Sequence, residues 1–94
     1  MNKLPNIHPG EILKEEFLIP LEITQYKLAL DTKMPHSRIT AIIKKRRGIS
    51  ADTAIRLSIY FGTTPNFWLN LQNAFDIEEA SKNKLEKEII PLAL

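Results

Sequence analysis

Lys44, Lys45, Arg46 and Arg47 are four consecutive cations, and Gly48 follows them. A row of fixed positive charge is suited to a polyanion, because each cation that meets a phosphate releases a condensed counterion. Lys33 and Arg38 extend the set. Thr32 to Ala51 therefore holds six cations and no acid, against seven cations and eleven acids in the rest of the chain. A basic run at a helix C-terminus also favours the helix dipole, and on an arbitrary helix that alone would account for it. Segregation on this scale points further, to a nucleic-acid-binding face with a second, acidic surface left over. Just before the run, His36, Ser37, Thr40 and Ala41 are small or polar, as insertion into a major groove requires.

Other chemistry finds little support. There is no cysteine, and the only histidines are His8, beside a proline, and His36, so neither a metal site nor a nucleophilic triad is expected. An enzyme is not expected, and no cofactor. A small basic ribonuclease needs no conspicuous motif, but a sheet-rich chain would be required, and no stretch here alternates with period two. The 94 residues, 44% apolar and 26% charged with net charge +2, read as one globular domain. No apolar run approaches a membrane span, so a cytoplasmic protein is expected.

The elements that must position these residues are helices. Punctuation predicts an all-α chain of five: Glu11 to Leu18, stopped by Pro20; Gln25 to about Leu30, capped by Thr24; His36 to Lys44; Ala51 to Phe61, between Ser50 and Gly62; and Pro65 to about Asp76, after Thr64. Residues 77–94 form a C-terminal extension, a short helix and then a frayed apolar end.

The second and third helices, residues 24–44, have the helix-turn-helix pattern. Ala29 permits a close crossing, Met34 plugs the joint, and Ile39, Ile42 and Ile43 form the buried stripe. His36, Ser37, Thr40, Ala41 and Lys44 are left facing outward. The N-terminus of the third helix, and Gln25 at the start of the second, suit phosphates. In the fifth helix Phe67, Leu71 and Ala74 share a face, Trp68 and Phe75 flank it, and Leu69 points elsewhere. So wide an apolar face is either core on two sides or a partner surface. Two recognition helices one DNA turn apart need two subunits, so a dimer interface at Trp68, Leu69, Leu71 and Phe75 is expected.

Gln25-x-x-Leu28-Ala29 followed by Met34-x-x-Ser37-x-Ile39 resembles the phage-repressor-like (Xre, Cro/C1) helix-turn-helix. HPGEIL at His8 to Leu13, RRGISADTAIRLSIYFGT at Arg46 to Thr63, and PNFWLNLQ at Pro65 to Gln72 resemble the HigA-type antitoxins, also called virulence-associated protein I-like proteins. The resemblance implies a homodimer that binds a palindromic double-stranded operator, represses its own operon and neutralises a HigB-type mRNA-cleaving ribonuclease toxin. It places base-facing positions at His36, Ser37 and Ala41. Backbone contacts fall at Gln25, Arg38, Thr40, Lys44, Lys45, Arg46 and Arg47. The DNA-binding features serve equally a stand-alone Xre-family regulator without a toxin.

Two departures stand out. The family's turn usually carries glycine where this chain has Lys33; in a left-handed conformation that lysine would cost roughly 1 kcal/mol. Ala41 offers only a methyl contact, so DNA shape should contribute more to readout.

Overall fold

The computed structural model describes residues 5–93, and among them there is helix but no strand. The first helix, α1 (Pro9–Ile12), runs on without a break as a π-helical segment (Leu13–Leu18). Then follow α2 (Gln25–Thr32), α3 (His36–Ile43), α4 (Ala51–Phe61), α5 (Pro65–Ser81) and a single 3-10 turn (Leu85–Lys87). The all-α, five-helix architecture is the one expected.

The caps do as their residue types predict. The hydroxyls of Thr24, Ser50 and Thr64 accept from the backbone N–H of Lys27, Thr53 and Phe67 respectively, closing the first turns of α2, α4 and α5. α1 is capped differently. His8 Nδ1 accepts from the N–H of Gly10 at 2.9 Å, so the imidazole does the work usually left to Ser or Asp.

Boundaries moved in four places, one of them the end of α2, which runs on from Leu30 to Thr32. α1 begins two residues early, because Pro9 fits the first helical position. α3 stops at Ile43, with Lys44 outside the helical region. α5 runs five residues past Asp76, since Ile77, Glu78, Glu79 and Ala80 bring no breaker.

Leu13, Leu28, Ile39, Ile42, Leu57 and Trp68 are fully buried and join all five helices into one core. Trp68 is thereby removed from the expected dimer surface. It has no exposed area, its ring meets Phe17 at 5.0 Å, and its Nε1 donates to Thr63 Oγ1 at 2.9 Å. Leu69 and Leu71 are half-buried against the same core, and Phe75 meets His8 edge-on at 4.9 Å. A large indole with a partner for its N–H closes the monomer's own core, where truncation costs about 3–5 kcal/mol.

Gly10 sets how α1 lies against α3. A Cβ there would come 2.0 Å from the carbonyl oxygen of Ile42, a backbone atom that cannot swing away. The crossing thus needs glycine for space, with no special backbone angle involved.

Candidate nucleic-acid interface

The joint between α2 and α3 is made as the residue types predict. Met34 and Ala29 are buried, and the N–H of Met34 donates to the Ala29 carbonyl at 3.0 Å. Lys33 takes the left-handed conformation at φ 59°. Its N–H and that of Met34 bond back onto α2, the closure in which glycine usually stands. The end of α3 repeats the device. Lys45 is left-handed at φ 63°, its N–H donates to Ile42 at 3.0 Å, and that of Arg46 donates to Ala41 at 2.8 Å. Both helices of the motif therefore end on a lysine in a conformation that favours glycine.

The N-terminus of α3 is open. Its cap position is Pro35, which supplies no side-chain acceptor, and His36 and Ser37 beside it are exposed. Thr40 and Ala41, half-buried, continue the same face. Thr40 Oγ1 donates to Gln25 Oε1 at 3.3 Å, which ties the first turn of α2 to α3 and leaves the Gln25 Nε2 without a partner among the described residues. Lys44, Lys45, Arg46 and Arg47 are exposed at the other end of α3, as a rim of positive charge.

Arg38 sits apart from that rim. Its Nη1 bonds Asp52 Oδ2 at 2.7 Å and its side chain is only 22% exposed. The same carboxylate oxygen takes Arg56 Nε at 2.9 Å, and Arg56 Nη1 donates to the carbonyls of Thr32 and Lys33. Arg56 and then Arg38 hold the Asp52 carboxyl below the ordinary aspartate range. This network braces α2, α3 and α4 together, so Arg38 is placed to hold α3 in position. A single oxygen of Asp31, Oδ2, does similar work on α2, accepting from Lys27 Nζ and from the Tyr60 hydroxyl, with Lys27 and then Tyr60 lowering its pKa.

Three contributors escaped the sequence reading. Tyr26, 67% exposed, stands 6.4 Å ring to ring from His36 and flanks the open N-terminal end of α3. Its position was legible, since the buried stripe of α2 is Leu28, Ala29 and Thr32, and Tyr26 lies off it. Asp52 stands in the sequence only as one residue of the Arg46 to Thr63 motif, with no role assigned. Gln72 was read as part of a motif with no role, yet its Oε1 accepts from the N–H of Ile49, just past the cationic run, at 2.7 Å.

The family model described as helix-turn-helix matches residues 13–68, well over half the chain and spanning α2, α3 and α4. The chain belongs to that family. Virulence-associated protein I of Dichelobacter nodosus is 46% identical over 89 residues, covering 95% of this chain and 82% of that protein. The structure of an addiction module antidote protein of the HigA family from Coxiella burnetii is 48% identical, with a TM-score of 0.86 over 95% of this chain and all of that one. The Pseudomonas aeruginosa antitoxin HigA, solved with the higBA promoter, is 42% identical with a TM-score of 0.88, again over 95% of this chain and all of that one. Within the helix-turn-helix family the chain falls among the HigA-type, virulence-associated protein I-like members. These are DNA-binding antitoxins and regulators, a class that is not enzymatic. Among the described residues no helix is long and apolar enough to cross a membrane.

Proposed function

We propose that this protein is the antitoxin of a type II toxin–antitoxin module, a cytoplasmic homodimer that represses its own operon and neutralises a HigB-type mRNA-cleaving toxin. The observation that carries the DNA-binding half is the uncapped N-terminus of α3, with exposed His36 and Ser37, followed at the helix's far end by four exposed cations. His36, Ser37 and Ala41 face base edges, with Ala41 limited to a thymine methyl. Gln25, Thr40 and the Lys44 to Arg47 run take the phosphates. Arg38 serves the same contact by holding α3 against Asp52.

Since Trp68 is buried, the dimer surface moves outward along the chain. Ile77, Leu85, Ile89, Ile90 and Leu92 are 45–88% exposed, and the molecule is elongated, with a radius of gyration of 16.1 Å against about 12 Å for a compact chain of this length. Leu69, Leu71 and Phe75 contribute only their outer edges. For the toxin, the exposed Glu15, Glu16 and Glu22 form an acidic set without ion pairs among the described residues, whereas Glu79 is held by Lys82 and Asn6. A basic ribonuclease would meet the first set.

Fluorescence anisotropy on the DNA upstream of the protein's own gene, across a salt series, tests the first half. Replacing Arg46 and Arg47 with Gln should weaken binding and flatten the salt slope by about 0.9 for each lost phosphate contact. Binding that ignores salt would reject it. Co-expression with the neighbouring gene product tests the second. A stand-alone regulator would bind the DNA and retain no basic partner, and Glu15→Lys/Glu16→Lys should release one that is retained.

A further inference from the structure

The cationic loop has two anchors, and only one belongs to the helix-turn-helix. On its N-terminal side it is fixed by the left-handed turn at Lys45 and the bond from Arg46 back to Ala41. On its C-terminal side the anchor comes from α5, twenty-three residues away in sequence. Gln72 Oε1 accepts from the N–H of Ile49 at 2.7 Å, and Gln72 Nε2 donates to Asp76 Oδ1 at 2.8 Å. An acceptor is required toward Ile49 and a donor toward Asp76, so the amide can sit in one orientation only. Gly48 is the seat. A Cβ there would stand 2.8 Å from each of Gln72 Cδ, Oε1 and Nε2, so the amide lies flat against the glycine.

We propose that Gln72, oriented by Asp76 and seated on Gly48, is a positioning residue for DNA binding, setting where the Lys44 to Arg47 loop meets the phosphate backbone. Arg46 and Arg47 lie between the two anchors. Backbone displacement at Ile49 would carry their charged groups away from the register set by the N-terminus of α3. Ile49 is buried in the core whereas Gln72 lies half-exposed at its edge, so a change of the amide should fall on the loop. This assignment rests on the reading of the loop as the phosphate clamp.

The test uses the full chain and the DNA upstream of its gene. Gln72→Met removes both bonds without altering charge. It should fold, by far-UV circular dichroism and thermal melting, yet bind roughly three- to tenfold more weakly, with a salt slope shallower by about one phosphate contact. A merely structural loss would lower the melting temperature and leave the slope alone. Gln72→Glu/Asp76→Asn keeps net charge and exchanges the two functions, with a carboxylate accepting from Ile49 and an amide donating to it. It should restore both affinity and slope. Should Gln72→Met not fold, Gln72→Asn keeps the amide but falls one methylene short of Ile49, and the same shallower slope is expected. Folded variants with wild-type affinity and slope overturn the proposal, as does failure of the exchange to rescue. Loss of effect for Arg46→Gln/Arg47→Gln as well would instead overturn the phosphate-clamp reading on which it depends.

Discussion

Lys33 and Lys45 offer a direct measure of conformational strain, because both are left-handed L-residues closing helices of the same motif. A side chain at φ near 60° costs roughly 1–2 kcal/mol relative to the right-handed helix, through the close approach of Cβ to the following carbonyl. Replacing it with glycine removes that contact but loosens the unfolded chain, which returns about 0.4–1 kcal/mol. The net expectation for Lys33→Gly is a gain of about 0.5–1 kcal/mol. For a domain of this size that raises the melting temperature by roughly 2–8 °C. Lys33 is exposed and its side chain makes no hydrogen bond among the described residues, so little else changes. Lys45→Gly should stabilise by a similar amount and should also remove one cation from the rim, flattening the salt slope for operator DNA by about 0.9. Urea unfolding of the two single variants and the double, with anisotropy on the same samples, reads both effects. Destabilisation by Lys33→Gly, or a stabilising Lys45→Gly that leaves the salt slope unchanged, would refute the argument for that residue.

Gly10→Ala should lose about 3 kcal/mol or more in urea unfolding, since the added methyl meets the Ile42 carbonyl and α1 must lift from α3. Trp68→Phe should cost about 2 kcal/mol by the same assay, through a lost bond to Thr63 and an unfilled volume, while sedimentation shows an unchanged assembly state. His8 is held below the ordinary imidazole value by burial and then by Lys45, against an opposing pull from Asp76. On acidification the unfolded chain therefore takes up this proton first, and stability falls as pH drops below the ordinary value until the folded His8 is itself protonated. His8→Asn, which retains a capping acceptor, should shrink the difference between unfolding curves at about pH 7 and about pH 5.5.

Much of the fold was legible because its signals are local. Thr24, Ser50, Thr64 and Gly62 mark helix ends by their own chemistry, and Ile39, Ile42 and Ala29 mark the buried side by spacing. The misreadings share a different cause. Trp68 looked like a partner surface because α5 is apolar on more than one stripe, and only the arrival of Phe17 from the first helix decides that its face points inward. The extension of α5 to Ser81 was similarly hidden, as propensity allows the helix to continue but does not compel it. Gly10 and Gly48 read as punctuation. Their work is to let another element come close, which depends on residues thirty-two and twenty-four positions away.

The charge count shows the same limit in the site itself. The acid-free window was closed at Ala51, one residue before Asp52, and Asp52 is the carboxylate that pairs with Arg38. Arg38 shares that carboxylate with Arg56, so part of its charge is met within the protein and it would offer a phosphate less than an unpaired cation does. Lys33 lies on the left-handed turn after α2, at the other end of the motif's joint from the rim. The cations that the fold leaves free along one edge contract to Lys44 through Arg47. Their register is then the property that matters, and it is fixed by a turn at Lys45 on one side and by an amide from α5 on the other. On the proposed clamp, positive charge would draw this protein to DNA, while the backbone turn at Lys45 and the neutral Gln72 amide would set where that charge meets the phosphates.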